Sequence, residues 1–141
     1  MQYLPFIVSI VSGGLAGAVV NYLVTRRRQR VEVGLKVIDF YFANYNDIAK
    51  TKYILQNPTL LADGNEKNQV LKIGNWFELV ASLCTGKAVD THLLAQTPLF
   101  LDMSVFRSLV KGTFNQSREL LDAETQWWPE LYKADLNKLG E

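Results

Sequence analysis

Cysteine and histidine, the residues that form disulfides and bind many metals, are rare in this sequence. Its 141 residues include one cysteine, Cys84, and one histidine, His92. A single cysteine excludes an intrachain disulfide and a cysteine cluster, which is typical of a reducing compartment. Cys84 shares an apolar helix face, so we expect it in the core, and His92 is expected on a helix surface. The sequence therefore predicts no metal site and no cofactor.

The sequence also lacks the short motifs that carry common catalytic chemistry. It has no phosphate-binding G-x-x-x-x-G-K-[ST] loop, no H-E-x-x-H, no G-x-S-x-G and no calcium loop. Glu78, within NWFELV, is the most suggestive carboxylate, but helical geometry puts it off the centre of the apolar face. That position favours a salt bridge or the margin of the face. We therefore predict a protein that is not an enzyme and has no evident small-molecule substrate.

Charge is unevenly distributed along the chain. The net charge is +1, with 15 basic and 14 acidic residues, and four of the basic ones are Arg26, Arg27, Arg28 and Arg30. Residues 31–141 are therefore mildly acidic, with a formal charge of about −3 by simple counting. An acidic body argues against nucleic acid as a partner.

No charged residue occurs between Leu4 and Thr25. As a helix this stretch matches the hydrocarbon thickness of a bilayer. A cleaved signal peptide needs positive charge before its apolar run, whereas here the arginines follow it. A buried core helix seldom stays uncharged for so long. We therefore predict a transmembrane anchor over residues 1–25, a basic juxtamembrane collar over 26–30 and a cytoplasmic helical domain over 31–141.

The arginines predict the orientation of the anchor. Basic residues beside a membrane helix stay on the cytoplasmic side, so the N-terminus is expected outside and the C-terminal domain in the cytoplasm. The predicted location is the inner (cytoplasmic) membrane, crossed once. Arg26, Arg27, Arg28 and Arg30 are expected to set this topology and to contact anionic lipid headgroups.

Small and polar residues recur at every fourth position of the predicted anchor: Ser9, Gly13, Gly17 and Asn21. Such a stripe lets two helix backbones approach closely in lipid, and Asn21 can hydrogen-bond across the contact. The sequence thus predicts helix association, with another copy or with a different membrane protein. The alternative is a homo-oligomeric channel in which Ser9, Ser12 or Asn21 lines a narrow pore.

The body is expected to begin with one long helix that ends before Pro58. Its apolar residues fall on two faces. The first face comprises Val31, Leu35, Ile38, Phe42, Tyr45 and Ala49. The second comprises Val33, Val37 and Phe40, which we predict to bind a partner. The alternative is a central helix covered on both sides by its own chain.

Further helices follow along the chain. One buries Val70, Ile73, Phe77, Val80, Ala81 and Cys84 on one face and ends at Gly86. Asp90 is expected to cap a short helix through Ala95, and Asp102 to cap the next. That next helix is expected to bury Phe106, Leu109, Val110, Phe114, Leu120 and Leu121. The last helix is expected to bury Trp128, Leu131, Tyr132, Leu136 and Leu139. The predicted fold class is all-α, with one N-terminal transmembrane helix and a cytoplasmic bundle of four to five helices.

Several stretches together resemble a known family. They are the anchor with its basic edge, VIDFYFANYND, ILQNP, VLKIGNWFELVASLCTGKAVDTHLL and FRSLV. This pattern is similar to bacterial single-pass membrane proteins of the domain of unknown function 4760 family. The matching positions are Trp76, Phe77, Glu78, Gly86, Asp90, Leu93 and Leu94, whereas the ending WWPELYKAD departs from the family. The resemblance implies a membrane-tethered helical domain without established catalytic residues. The stripe of small residues in the anchor and the two apolar faces of the first body helix, rather than this resemblance, lead us to expect a membrane-anchored interaction or scaffold protein.

Overall fold

The computed structural model describes residues 4–114 and 127–139, with side chains for residues 16–113 and 127–139. Every element in these ranges is helical, which confirms the all-α prediction. The elements are α1 (Leu4–Ala43), α2 (Tyr45–Gln56), a 3₁₀ helix (Pro58–Ala62), α3 (Gly64–Thr85), α4 (Thr91–Ala95), α5 (Leu99–Phe114) and α6 (Pro129–Lys133).

From Leu4 onward, helix α1 runs without a break along the predicted anchor, through the arginine cluster and into the predicted cytoplasmic domain. Its 40 residues give a length of about 60 Å at ~1.5 Å per residue. The arginines are good helix formers, so the change from apolar to basic sequence does not interrupt the helix. The apolar segment and the folded domain are therefore joined by one continuous helix.

The long helix predicted for residues 30–57 is divided once, at Asn44, between the end of α1 and the start of α2. The side chain of Asn44 donates to the carbonyl of Phe40 at 2.9 Å, beside its own backbone N–H at 3.0 Å. Asn57 donates to the carbonyl of Tyr53 at 2.9 Å in the same way, directly after the end of α2. Pro58 then disfavours helical backbone at Asn57, as the sequence predicts.

Helix α3 provides the centre of the core. All six residues predicted for its apolar face are buried, which confirms that face. The side chain of Asp63 accepts from the backbone N–H of Asn65 at 2.9 Å and caps the start of the helix. At the other end Gly86 is the C-cap, as predicted, but the left-handed residue is Lys87, with a φ of 54°.

Helices α4 and α5 differ in how they begin. Asp90 caps α4 as predicted, because its carboxylate accepts from the backbone N–H of His92 at 3.1 Å. The prediction that Asp102 caps the next helix is wrong. Helix α5 begins earlier, at Leu99, whose backbone N–H donates to the Thr97 hydroxyl at 3.3 Å. Asp102 lies within the first turn, buried against other helices.

The remaining helices pack around α3. Helix α3 contacts α2 and α6, α2 contacts α5, and α4 bridges α1 and α5. Aromatic rings join these helices through edge contacts, with ring centroids 5.2 Å apart for Phe77 and Phe106 and 5.5 Å for Phe106 and Trp128. Of the inward residues predicted for the C-terminal half, Phe106, Val110, Trp128, Leu131 and Leu136 are buried. Phe114, Leu120 and Leu121 lie outside the described side chains.

Candidate functional site

The apolar side chains of residues 19–24, directly before the arginines, have little cover from the described part of the chain. Five large apolar side chains there are between 57 and 61% exposed: Val19, Val20, Tyr22, Leu23 and Val24. A β-carbon added at Gly17 would meet nothing within 4 Å, and Asn21 is exposed. Ser9, Ser12 and Gly13 lie outside the described side chains. Gly17 and Asn21 therefore face open space.

Within the described part of the chain, no helix combines the length and the apolarity that a bilayer span requires.

The four arginines of the predicted collar have different surroundings. Arg26, Arg27 and Arg28 are exposed, and Arg28 pairs with Glu32 one turn later at 3.6 Å. Arg30 is instead held against the turn before α4. Its Nη2 donates to the carbonyl of Val89 at 3.3 Å, and its own carbonyl accepts from the backbone N–H of Asp90 at 3.2 Å. Arg30 thus fastens α1 to the turn between α3 and α4. The charge pattern of the sequence did not predict this structural role.

The residues predicted to bind a partner, Val33, Val37 and Phe40, differ in how far the fold covers them. Val37 is only 7% exposed and belongs to the core, and Val33 packs against it. The ring of Phe40 lies over Trp76 of α3, with centroids 4.8 Å apart. Val33 and Val37 are used by the chain itself because α1 packs against the later helices along this side, whereas Phe40 remains 40% exposed beside Trp76. On the other predicted face, Leu35, Phe42 and Tyr45 point outward.

A buried polar cluster ties three helices together. Asp102 of α5 accepts from the Tyr41 hydroxyl of α1 through Oδ2 and from Lys52 Nζ of α2 through Oδ1. The side chain of Asp102 is 6% exposed, so its charge is compensated mainly by these two donors. Burial and then the hydrogen bond with Asp102 raise the pKa of Tyr41 well above its usual range. The arrangement thus links α1, α2 and α5 through one buried carboxylate.

Glu78 has a role that the sequence did not predict. Its two carboxylate oxygens accept from the backbone N–H of Glu130 at 2.9 Å and of Leu131 at 2.7 Å. Glu78 therefore caps the start of α6 from a residue 52 positions earlier in the chain. Pro129, in the first turn of α6, was the available signal, because a proline there marks a helix start whose N–H groups need acceptors.

The remaining candidates have ordinary surroundings. His92 is exposed on α4, and Cys84 is buried in the core, where burial raises the pKa of its thiol to about 11. Trp128 is fully buried and donates through Nε1 to Asn75 Oδ1 at 3.0 Å, whereas Trp127 is partly exposed. Among the described residues, no three acidic, histidine or cysteine side chains cluster as a metal site requires.

A cleft lies where α1 meets the turn between α3 and α4. It has a volume of about 650 Å³ and is lined by Leu23, Arg26, Arg27, Arg30, Lys87, Asp90 and His92. Four of these side chains carry positive charge and one, Asp90, carries negative charge. A smaller groove of about 470 Å³ continues from Arg26 and Lys87 towards Lys36. The described surface is therefore strongly basic directly after the apolar segment.

Comparison with known proteins places the chain in no family. No family model matches it, and no curated protein or solved structure is significantly similar to it. The resemblance to the domain of unknown function 4760 family is therefore neither supported nor contradicted, and stays a prediction.

Proposed function

We propose that this chain is a membrane-anchored helical interaction protein, with its N-terminal helix in the inner (cytoplasmic) membrane and its helical body in the cytoplasm. The observation that carries the proposal is the uncovered apolar segment of α1, which leads directly into Arg26, Arg27 and Arg28. Exposed apolar surface of this extent needs lipid or another protein to cover it. The arginines after it favour a cytoplasmic body.

The continuity of α1 supports association with a second copy. Gly17 and Leu35 are 18 residues apart, which is about five turns of helix, so they lie on the same face. The same spacing relates Val24 to Phe42. Leu35 and Phe42 are exposed, while the side of α1 that carries Val37 and Tyr41 packs on the body.

A neighbouring helix that packs on the stripe of Ser9, Gly13, Gly17 and Asn21 would therefore continue onto Leu35 and Phe42. Two parallel copies of α1 meet this condition symmetrically, because each then presents the same face to the other. Arg28 lies between the two regions, and its ion pair with Glu32 lowers the charge repulsion there. We therefore propose a parallel dimer, or a small oligomer, as the working form.

The mass of the full chain in phosphatidylcholine nanodiscs tests this proposal. We expect a dimer or small oligomer for the unmodified chain and a monomer for the G13L/G17L double variant, because leucines keep the backbones apart. Ala18→Leu is the matched control, since it adds bulk on a different side of α1 and should leave the mass unchanged. A monomeric unmodified chain would contradict association with itself, and a chain that fails to float with vesicles would contradict the anchor.

A further inference from the structure

We propose that the cleft between α1 and the α3–α4 turn is a binding site for a phosphate group. Its walls come from two separate parts of the chain, with Arg26, Arg27 and Arg30 on α1 and Lys87 and His92 on the body. Guanidinium and ammonium groups that converge on one cleft are the usual recognition elements for phosphate oxygens. The proposal goes beyond a basic collar, because it requires the folded body to supply part of the site.

The charges in the cleft are largely unused by the protein itself. Among the described residues, no carboxylate pairs with Arg26, Arg27 or Lys87, whereas Arg28 outside the cleft has Glu32. The one acidic residue in the wall, Asp90, already accepts two backbone N–H groups at the start of α4. The cleft therefore keeps an excess of positive charge that an anion can neutralise.

The backbone of Lys87, which lines the cleft, is in the left-handed conformation. Helix α3 ends with a bond from the Ala88 N–H to the Leu83 carbonyl at 2.9 Å, and Lys87 occupies the left-handed position of that ending. Glycine is the usual residue there, because a side chain strains the left-handed backbone. A strained residue whose side chain lines a cleft is typical of a functional position.

The position of the cleft suggests the source of the phosphate. Leu23, at the end of the apolar segment, contributes to its wall. If the proposed anchor is correct, the cleft lies at the level of the lipid headgroups. Only the location of the cleft at headgroup level rests on the proposed function, because the walls of the cleft come from a single chain. A phosphomonoester lipid headgroup and a free phosphate share the same chemistry and are distinguished by experiment.

The test uses the full chain in a neutral maltoside detergent and measures binding by calorimetry. The probes are dihexanoyl phosphatidic acid, inorganic phosphate and, as the neutral control, dihexanoyl phosphatidylcholine. We expect the phosphatidic acid to bind and the phosphatidylcholine not to bind. Tighter binding of the lipid than of inorganic phosphate identifies a headgroup site, and equal binding identifies a site for free phosphate.

Variants distinguish binding of phosphate in the cleft from non-specific attraction of anions to positive charge. Lys87→Asn should weaken phosphate binding about fivefold, because one cation near an anionic headgroup contributes about that factor to the affinity. Asparagine tolerates the left-handed backbone, so this variant should unfold at the same denaturant concentration as the unmodified chain or higher. Lys138→Asn, in an exposed turn at the far end of the chain, is the matched control.

Two results would overturn the proposal. One is the absence of binding to both phosphate probes. The other is unchanged affinity in both Lys87→Asn and His92→Gln, combined with a loss in the R26Q/R27Q variant, because the arginines of α1 alone would then account for binding. Neither result depends on whether the chain is a monomer or a dimer, so the proposed function is tested separately.

Discussion

Gly74 of α3 lies directly beneath the indole ring of Trp128. A β-carbon added at Gly74 would come within 2.1 Å of Trp128 Cζ2, closer than any real contact. The same indole donates to Asn75 Oδ1, so the ring cannot move away without losing that bond. The absence of a side chain at one position thus allows the largest side chain of the core to be fully buried.

Gly74→Ala is therefore expected to destabilise the fold despite the higher helix propensity of alanine. We expect a loss of about 2 kcal/mol in the free energy of unfolding, since overpacking a rigid core forces neighbours apart. Gly112→Ala is the matched control, because a β-carbon there meets nothing within 4 Å. It should leave stability unchanged or raise it by up to ~1 kcal/mol. Denaturant unfolding followed by tryptophan fluorescence measures both, and equal effects would contradict the contact.

Tyr41 is expected to make the fold sensitive to alkaline pH. Burial, followed by the hydrogen bond with Asp102, raises its pKa above the ordinary value near 10. Above that pH the unfolded chain loses the phenol proton while the folded chain keeps it, so the stabilising contribution present below pH 10 decreases. The decrease amounts to at most about 1.4 kcal/mol per pH unit.

Unfolding measured between pH 8 and pH 11 tests this contribution. Tyr41→Phe should be less stable than the unmodified chain at pH 8, by about 1 kcal/mol for the lost hydrogen bond, and should show a shallower decline above pH 10. Tyr53→Phe is the control, because Tyr53 is exposed. Parallel declines for the unmodified chain and Tyr41→Phe would contradict the assignment.

Glu78→Gln should loosen the C-terminal segment. The substitution keeps the shape but leaves one uncharged acceptor for the N–H groups of Glu130 and Leu131, so we expect a loss of about 1 kcal/mol. Hydrogen exchange of these two amides should also become faster. Glu66→Gln, which removes a surface ion pair with Lys50 at 3.6 Å, should cost less than about 0.5 kcal/mol. An equal cost for the two variants would argue against the cap.

Cys84 should react slowly with alkylating reagents. Burial raises the pKa of its thiol from 9.0 to about 11, so the thiolate fraction at pH 8 is about 100-fold lower than for an exposed thiol. We expect alkylation by iodoacetamide, followed by mass spectrometry, to be at least about 100-fold slower in the folded chain than in urea. Equal rates in the two conditions would show that the thiol is accessible.

Local features of the structure were predictable from the sequence. The buried face of α3 follows from helical spacing, and Asp90 caps α4 because the acceptor and its donors are two or three residues apart. The end of α2 before Pro58 follows from the steric restriction that a proline imposes on the residue before it. In each case the physical cause lies within one or two turns of chain.

The interactions between helices were not predictable in the same way. Both predicted apolar faces satisfied the helical period, and only contacts with the later helices decided that Val37 is buried while Leu35 stays exposed. Asp102 suited an N-cap by its position, yet Tyr41 and Lys52 approach it from 61 and 50 residues away. Burial of a charge depends on such distant donors, which no local pattern contains.

Composition and local spacing therefore account for the helical fold class, the uncharged segment before the arginines and the core face of α3. Packing between distant helices leaves Leu35 and Phe42 exposed and holds Arg30 against the turn before α4. It also brought Lys87 and His92 of the body beside the arginines of α1. Those outcomes depend on which helices meet, and therefore on contacts between residues far apart in the chain.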